Sequence, residues 1–186
     1  MKKTLYFFIS IIIISCGGDA DNNNPYVTDD FSRGQILTNT YDNIIIPAYS
    51  EFDNNLDDLA NKTAIFTNDA SQQNLINLRS SWVNAYLSWQ SVEMFNMMKA
   101  QEIIYDRSTN AYPCIESKVN DNIDDSLFEI TSFSASMVGA TGFPAIGFLI
   151  YSNDSTNVLS LYNGTNSDKQ KAYLNALVNS LVTNTN

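Results

Sequence analysis

The sequence predicts an all-α fold, an antiparallel helical bundle. Three observations lead there. Apolar residues recur at spacings of three and four over long stretches of the chain. No stretch sustains the apolar–polar alternation of a half-buried strand. The clearest periodic stretch, from about Ser71 to Met98, would reach roughly 40 Å as a helix, a length that suits a bundle.

The first fifteen residues are an exception to the fold. Met1-Lys2-Lys3 is a basic start, and Leu5 to Ile14 is apolar except for Ser10. That run is shorter than the roughly 20 residues a membrane span needs, but it fits the apolar region of a signal peptide. It ends in Ile13-Ile14-Ser15-Cys16, which looks like the lipobox of a bacterial lipoprotein. Residues 1–15 are therefore expected to be a cleaved signal and Cys16 a lipidated N-terminus. Each acyl CH₂ buried in the membrane contributes about 0.8 kcal/mol. Gly17, rather than an aspartate, follows the cysteine, so the outer membrane is the expected destination within the cell envelope. Residues 16–30 read as a polar tether, and residues 31–186 as the helical domain.

The domain opens on Ile36, Leu37, Tyr41, Ile44, Ile45, Ala48, Tyr49, Phe52, Leu56 and Leu59, spaced for one helix. Pro47 inside that run predicts a kink. Ser71 is the expected N-cap of the next helix, whose face carries Leu75, Leu78, Trp82, Ala85, Trp89, Val92 and Phe95. The pattern weakens after Ala100, and Tyr112-Pro113-Cys114 reads as a loop. Asp124 or Asp125 is the expected cap of a helix bearing Leu127, Phe128, Ile130, Phe133 and Met137. The apolar run from Phe143 to Tyr151 reads as a short buried helix, although its period alone does not exclude a strand. Ser152 to Ser167 reads as a loop, and a last helix carries Tyr173, Leu174, Leu177, Val178, Leu181 and Val182.

Composition narrows function by exclusion. The 186 residues contain no histidine, so Ser–His–Asp or Cys–His catalysis and histidine-bound zinc are excluded. Ten basic residues against twenty acidic, a net charge of −10, argue against binding nucleic acid. There are two cysteines. With Cys16 carrying lipid, Cys114 has no intramolecular disulfide partner.

Three segments in order resemble one family: Tyr41-Asp42-Asn43-Ile44-Ile45-Ile46-Pro47-Ala48-Tyr49, Trp82 with Trp89-Gln90-Ser91-Val92-Glu93-Met94-Phe95, and Gly142-Phe143-Pro144-Ala145-Ile146-Gly147-Phe148-Leu149-Ile150. Together they resemble the imelysin family, all-helical and often lipid-anchored proteins of the bacterial envelope. Its members were first described as peptidases and are often iron-regulated. The resemblance implies a two-bundle protein about twice this length, of which this chain matches the first bundle. It also implies a Gly-x-His-x-x-Glu motif in the third segment. Gly142 keeps the glycine, but Pro144 stands at the histidine position and Gly147 at the glutamate position. Neither can hold a metal or move a proton.

The expected function is therefore that of a lipid-anchored, non-enzymatic envelope protein that binds a ligand or partner, linked through the resemblance to iron acquisition. The alternative is a metallopeptidase with a degenerate motif. No catalytic residue, cofactor or metal site is expected. Glu93, one turn after Trp89 and on the same expected helix as Trp82, is the polar position carried over from the family, and it and the two tryptophans are candidates for a ligand or structural role. Glu102 and Asp106, four apart, could share a helical face, but read better as solvated charge. Cys114 reads as a plain buried or half-buried thiol. The Trp82, Tyr86 and Trp89 stripe reads as core. The expected partners are the membrane, through the lipid, and a protein or second copy, through an apolar face at Phe143, Ile146, Phe148 and Leu149.

Overall fold

The computed structural model describes residues 32–130 and 136–185. The signal, Cys16 and the tether lie outside the described residues. The chain divides into two compact units, Met1–Leu37 and Thr38–Asn186. Of the first, only residues 32–37 are described, and they open helix α1 (Arg33–Thr40).

The second unit is helical throughout its regular structure, with no strand among the described residues. A π-helical turn, Tyr41–Ile45, leads into α2 (Ile46–Asn68). Pro47 thus produces a π turn rather than a simple kink. Its ring crowds the carbonyl four residues back and it has no N–H to donate. The chain answers by widening the preceding turn, where the Ile46 N–H reaches back to the Tyr41 carbonyl.

Asp69, Ala70 and Ser71 turn the chain into α3 (Gln72–Val92), which packs along α2. The Ser71 hydroxyl accepts from the Asn74 N–H at 3.4 Å, the N-cap expected from sequence. The Asn74 amide donates to the carbonyl and carboxylate of Asp69, both at 2.9 Å, which fixes the turn. Phe52, Leu56, Leu59 and Phe66 of α2 meet Leu75, Leu78, Ala85 and Trp89 of α3 in one buried core. The last helix, α9 (Ser167–Thr185), lies against α2 and adds Tyr173, Leu174, Leu177, Val178 and Leu181.

Helix α3 ends six residues earlier than its pattern suggests. A 3₁₀ turn, Glu93–Phe95, follows it. Val92 is the last residue of that face with a core to enter, whereas Met97 and Met98 stand exposed. Short helices α4 (Lys99–Glu102), α5 (Tyr105–Thr109) and α6 (Glu116–Asp124) come next. Asp124 and Asp125 close α6 instead of opening a helix. Leu127 is exposed, and Phe133 lies outside the described residues.

Helix α7 (Gly142–Tyr151) is the buried helix expected from its apolar run. It corrects the idea of an exposed apolar face there. Phe143 and Ile146 are fully buried, Leu149 is nearly so, and Phe148 is half-buried against the core. Among the described residues this segment lies within the core rather than at its surface. The stretch expected to be a loop contains α8 (Ser155–Asn163). The Asp154 carboxylate caps it, accepting from the Asn157 N–H at 2.9 Å, and Val158 and Tyr162 anchor it in the core. No described helix is long and apolar enough to cross a membrane.

Candidate functional site

The residues singled out in the sequence fall in two places. Trp82, Pro144 and Gly147 belong to an aromatic joint between α3 and α7, and Gly142 sets the start of α7. Trp89 and Glu93 line a cavity at the end of α3.

At the joint, the Trp82 indole stacks on Tyr86, with centroids 5.3 Å apart, and meets Tyr151 edge-on at 5.5 Å. Its N–H donates to the Phe143 carbonyl at 3.1 Å. A Cβ on Gly147 would lie 3.0 Å from the Trp82 ring. The space beside the motif's glutamate position is thus filled by an indole. Arg79 closes the far end of α7. Its Nε donates to the Ile150 carbonyl at 2.7 Å and its Nη1 to the Ser155 hydroxyl at 2.8 Å, while the guanidinium lies 4.8 Å from the Tyr151 ring centre. Pro144 occupies the first turn of α7, where its missing N–H would have had no intrahelical partner. Gly142 has φ +72°, and a Cβ there would fall 2.2 Å from the Thr109 carbonyl oxygen. Only glycine lets α7 start against α5. These motif positions build a helix junction.

The cavity has a volume of about 780 Å³. Trp89 and Glu93 contribute from the end of α3, Asp106 and Arg107 from α5, and Tyr112 from the following loop. Met137, Gly139 and Thr141 contribute from the turn before α7. Trp89 is buried, 5.6 Å from the Phe52 ring and 5.3 Å from the Tyr105 ring. The Tyr105 hydroxyl hydrogen-bonds the Thr185 hydroxyl at the end of α9. Burial pushes the Tyr105 hydroxyl up to about 12, against the partial offset of that bond.

The opposite wall is pinned by polar contacts. The Ile115 N–H donates to the Gly139 carbonyl at 2.7 Å, and the Tyr173 hydroxyl to the Ala140 carbonyl at 2.7 Å. The Asn122 amide donates to the Tyr173 hydroxyl at 3.0 Å and to the Ser136 carbonyl at 3.2 Å. Gly139, with φ +76°, lets the turn close on Ile115, whose side chain a Cβ would meet at 2.7 Å.

Three residues of the lining carry buried polar atoms without a partner among the described residues: the Trp89 indole N–H and the side-chain oxygens of Asn96 and Asn110. Such groups cost about 1–3 kcal/mol each when nothing satisfies them. The lining mixes apolar side chains with Glu93, Asp106, Arg107 and these polar groups, and a concavity with converging polar groups is a common form of a small-ligand site. Glu93 is exposed at its edge. Asp106 lines it as well, but Glu102 does not. Glu102 is on α4, paired with Lys99 at 3.1 Å, and the left-handed Ile104 separates the two short helices. The two carboxylates therefore do not share a helical face. Asp58 pairs with Lys62 at 3.5 Å on the surface of α2.

Cys114 is half-buried, and burial together with the nearby Glu116 carboxylate raises its thiol above the ordinary range. That is the opposite of activation. Among the described residues, no three His, Cys, Asp or Glu side chains gather as a metal site. Sequence reasoning missed Asn96, Arg107, Asn110, Tyr112 and Thr141. They lie where helical periodicity fails, and the chain is so rich in asparagine that no single one stands out.

No curated protein and no solved structure matches the chain. The family model described as imelysin (Peptidase_M75) does match, over residues 45–186, from the π turn through the end of α9. The all-helical fold and that match over most of the sequence place the chain in the imelysin family.

Proposed function

We propose that this protein is a lipid-anchored binding protein of the bacterial cell envelope that holds a small ligand in the cavity at the end of α3. The reading rests on one observation above all. Trp89, Asn96 and Asn110 all belong to the lining of a cavity of about 780 Å³, and each carries a buried polar atom with no hydrogen-bond partner among the described residues. A ligand that reaches them through a small shift of the lining side chains gains hydrogen bonds whose desolvation the fold has already incurred. The non-enzymatic part of the reading is supported by Pro144 and Gly147, which bring no acid, base or metal ligand to the family motif. Anchoring at Cys16, an outer-membrane destination and a role in iron acquisition are part of the same proposal. The first two are supported by the leader sequence and the third by family membership.

The test is native mass spectrometry of the protein extracted from its own envelope in mild detergent. Wild type should carry a non-covalent small-molecule adduct. Ala111→Trp, which fills the cavity from its lining, should lose it while keeping its helical circular dichroism. An adduct equally present in Ala111→Trp, or none in wild type, would overturn the binding reading. Labelling cells with a fatty-acid analogue tests the anchor separately. Wild type should be labelled, and label retained in Cys16→Ala would exclude lipidation at that residue. Chelator-sensitive cleavage of unfolded casein by the purified protein would favour the peptidase alternative.

A further inference from the structure

Three of the chain's five methionines fall within five residues, in the sequence Met94-Phe95-Asn96-Met97-Met98. All three are exposed, at 72%, 51% and 82%. Single exposed apolar residues are ordinary and need no explanation. Three thioethers together, outside the core and in a chain with two other methionines, are not accounted for by packing. The segment begins within the 3₁₀ turn, and Met98 sits at φ +52°, where a glycine would be the inexpensive choice.

The surroundings favour a cation. Met94 lines the same cavity as Glu93 and Asp106, and the whole chain carries a net charge of −10. The opposing charges are Arg107, also in the lining, and Lys99, which is held by Glu102 at 3.1 Å. Thioether sulfur is a soft, uncharged ligand. It does not compete for magnesium, calcium or zinc, but it selects soft monovalent ions. Methionine's unbranched, rotatable side chain lets neighbouring sulfurs converge on one ion.

We propose that Met94, Met97 and Met98 form a thioether site for one soft monovalent cation, Cu(I) or Ag(I). Met94 adjoins the cavity of the ligand reading, but the proposal does not rest on that reading: Trp89, Asn96 and Asn110 supply no soft donor, and either can fail alone.

The experiment is a silver nitrate titration of the full chain carrying Cys16→Ser and Cys114→Ser, so that methionines are the only sulfur left. It is followed by calorimetry and by NMR of ¹³C-methyl methionine. One Ag(I) should bind per chain and shift three methyl signals, and Cu(I) supplied with bathocuproine disulfonate as competitor should behave alike. Replacing the three by leucine (M94L/M97L/M98L) keeps their size at exposed positions, so the melting temperature should hold. The affinity should fall at least tenfold. No saturable binding, or binding undiminished in the triple leucine variant, would overturn the proposal.

Discussion

Tyr162 carries a hydroxyl with no partner in the middle of the core. The residue is fully buried, packed edge-on against Phe66 at 4.8 Å, and burial alone raises its hydroxyl far above the usual tyrosine range. A buried hydroxyl without a hydrogen bond costs about 1–3 kcal/mol. Tyr162→Phe removes that group and keeps the ring, so urea unfolding should give a variant as stable as wild type or about 1 kcal/mol more so. A clear loss would reveal a satisfied hydroxyl. Trp89 shows the reverse balance. Its ring sits between Phe52 and Tyr105, so Trp89→Ala should cost about 3–5 kcal/mol and lower the melting temperature by about 10 °C or more. Glu102→Ala should leave the melting temperature unchanged, since its pairing with Lys99 is on the surface. The tryptophans were legible in the sequence as core because indoles at helical spacing rarely face water. The partners their N–H groups have or lack were not. Trp82 donates to a carbonyl 61 residues away and Trp89 to no group among the described residues, and no local pattern separates the two.

The helices that sequence identified are those with a long apolar stripe: α2, α3, α7 and α9. Those it missed or misplaced are short. Helix α8 has only Val158 and Tyr162 as fully buried anchors, set in Asn, Ser and Gly that mark a loop by composition. Its Asp154 cap was the available signal, and Asp154→Ala should cost about 1 kcal/mol by thermal melting. Helix α6 has Val119 and Ile123 four residues apart, too little to outweigh the acidic pair at its end, which suggested a start. The junction of α5 and α7 shows what a motif can hide. The glycine of the family motif is retained for a reason of packing, since its positive φ and its approach to the Thr109 carbonyl leave no room for a Cβ. Gly142→Ala should therefore destabilise by about 3 kcal/mol or more. Pro144→Ala, in the first turn of the same helix, should be nearly neutral. The two measured together by urea unfolding separate a structural glycine from a position the fold no longer needs.

At the scale of the whole molecule, charge and buried tyrosines act in the same direction. Twenty acidic residues face ten basic ones, so the folded state repels itself and should gain stability as salt screens it. Raising the pH adds a second effect. Tyr49, Tyr105, Tyr151, Tyr162 and Tyr173 all have hydroxyls raised by burial, Tyr105 to about 12. In the unfolded chain they titrate near 10. Below that value both states hold these protons, and stability does not depend on them. As pH climbs past about 10 the unfolded chain releases protons that the folded chain keeps. Unfolding is then favoured by about 1.4 kcal/mol per pH unit for each fully protected tyrosine. For Tyr105 the loss levels off as pH passes about 12. Urea unfolding between pH 8 and 11.5, in 20 mM and 300 mM salt, should show a plateau to about pH 9.5 and then a steep fall. Salt should raise the plateau but leave the fall in place, because screening reaches surface charge and not desolvation. Tyr162→Phe should make the fall shallower by about one proton, since the most deeply buried hydroxyl no longer titrates in the unfolded chain. An unchanged slope in that variant would mean that Tyr162 does not contribute to the loss at high pH.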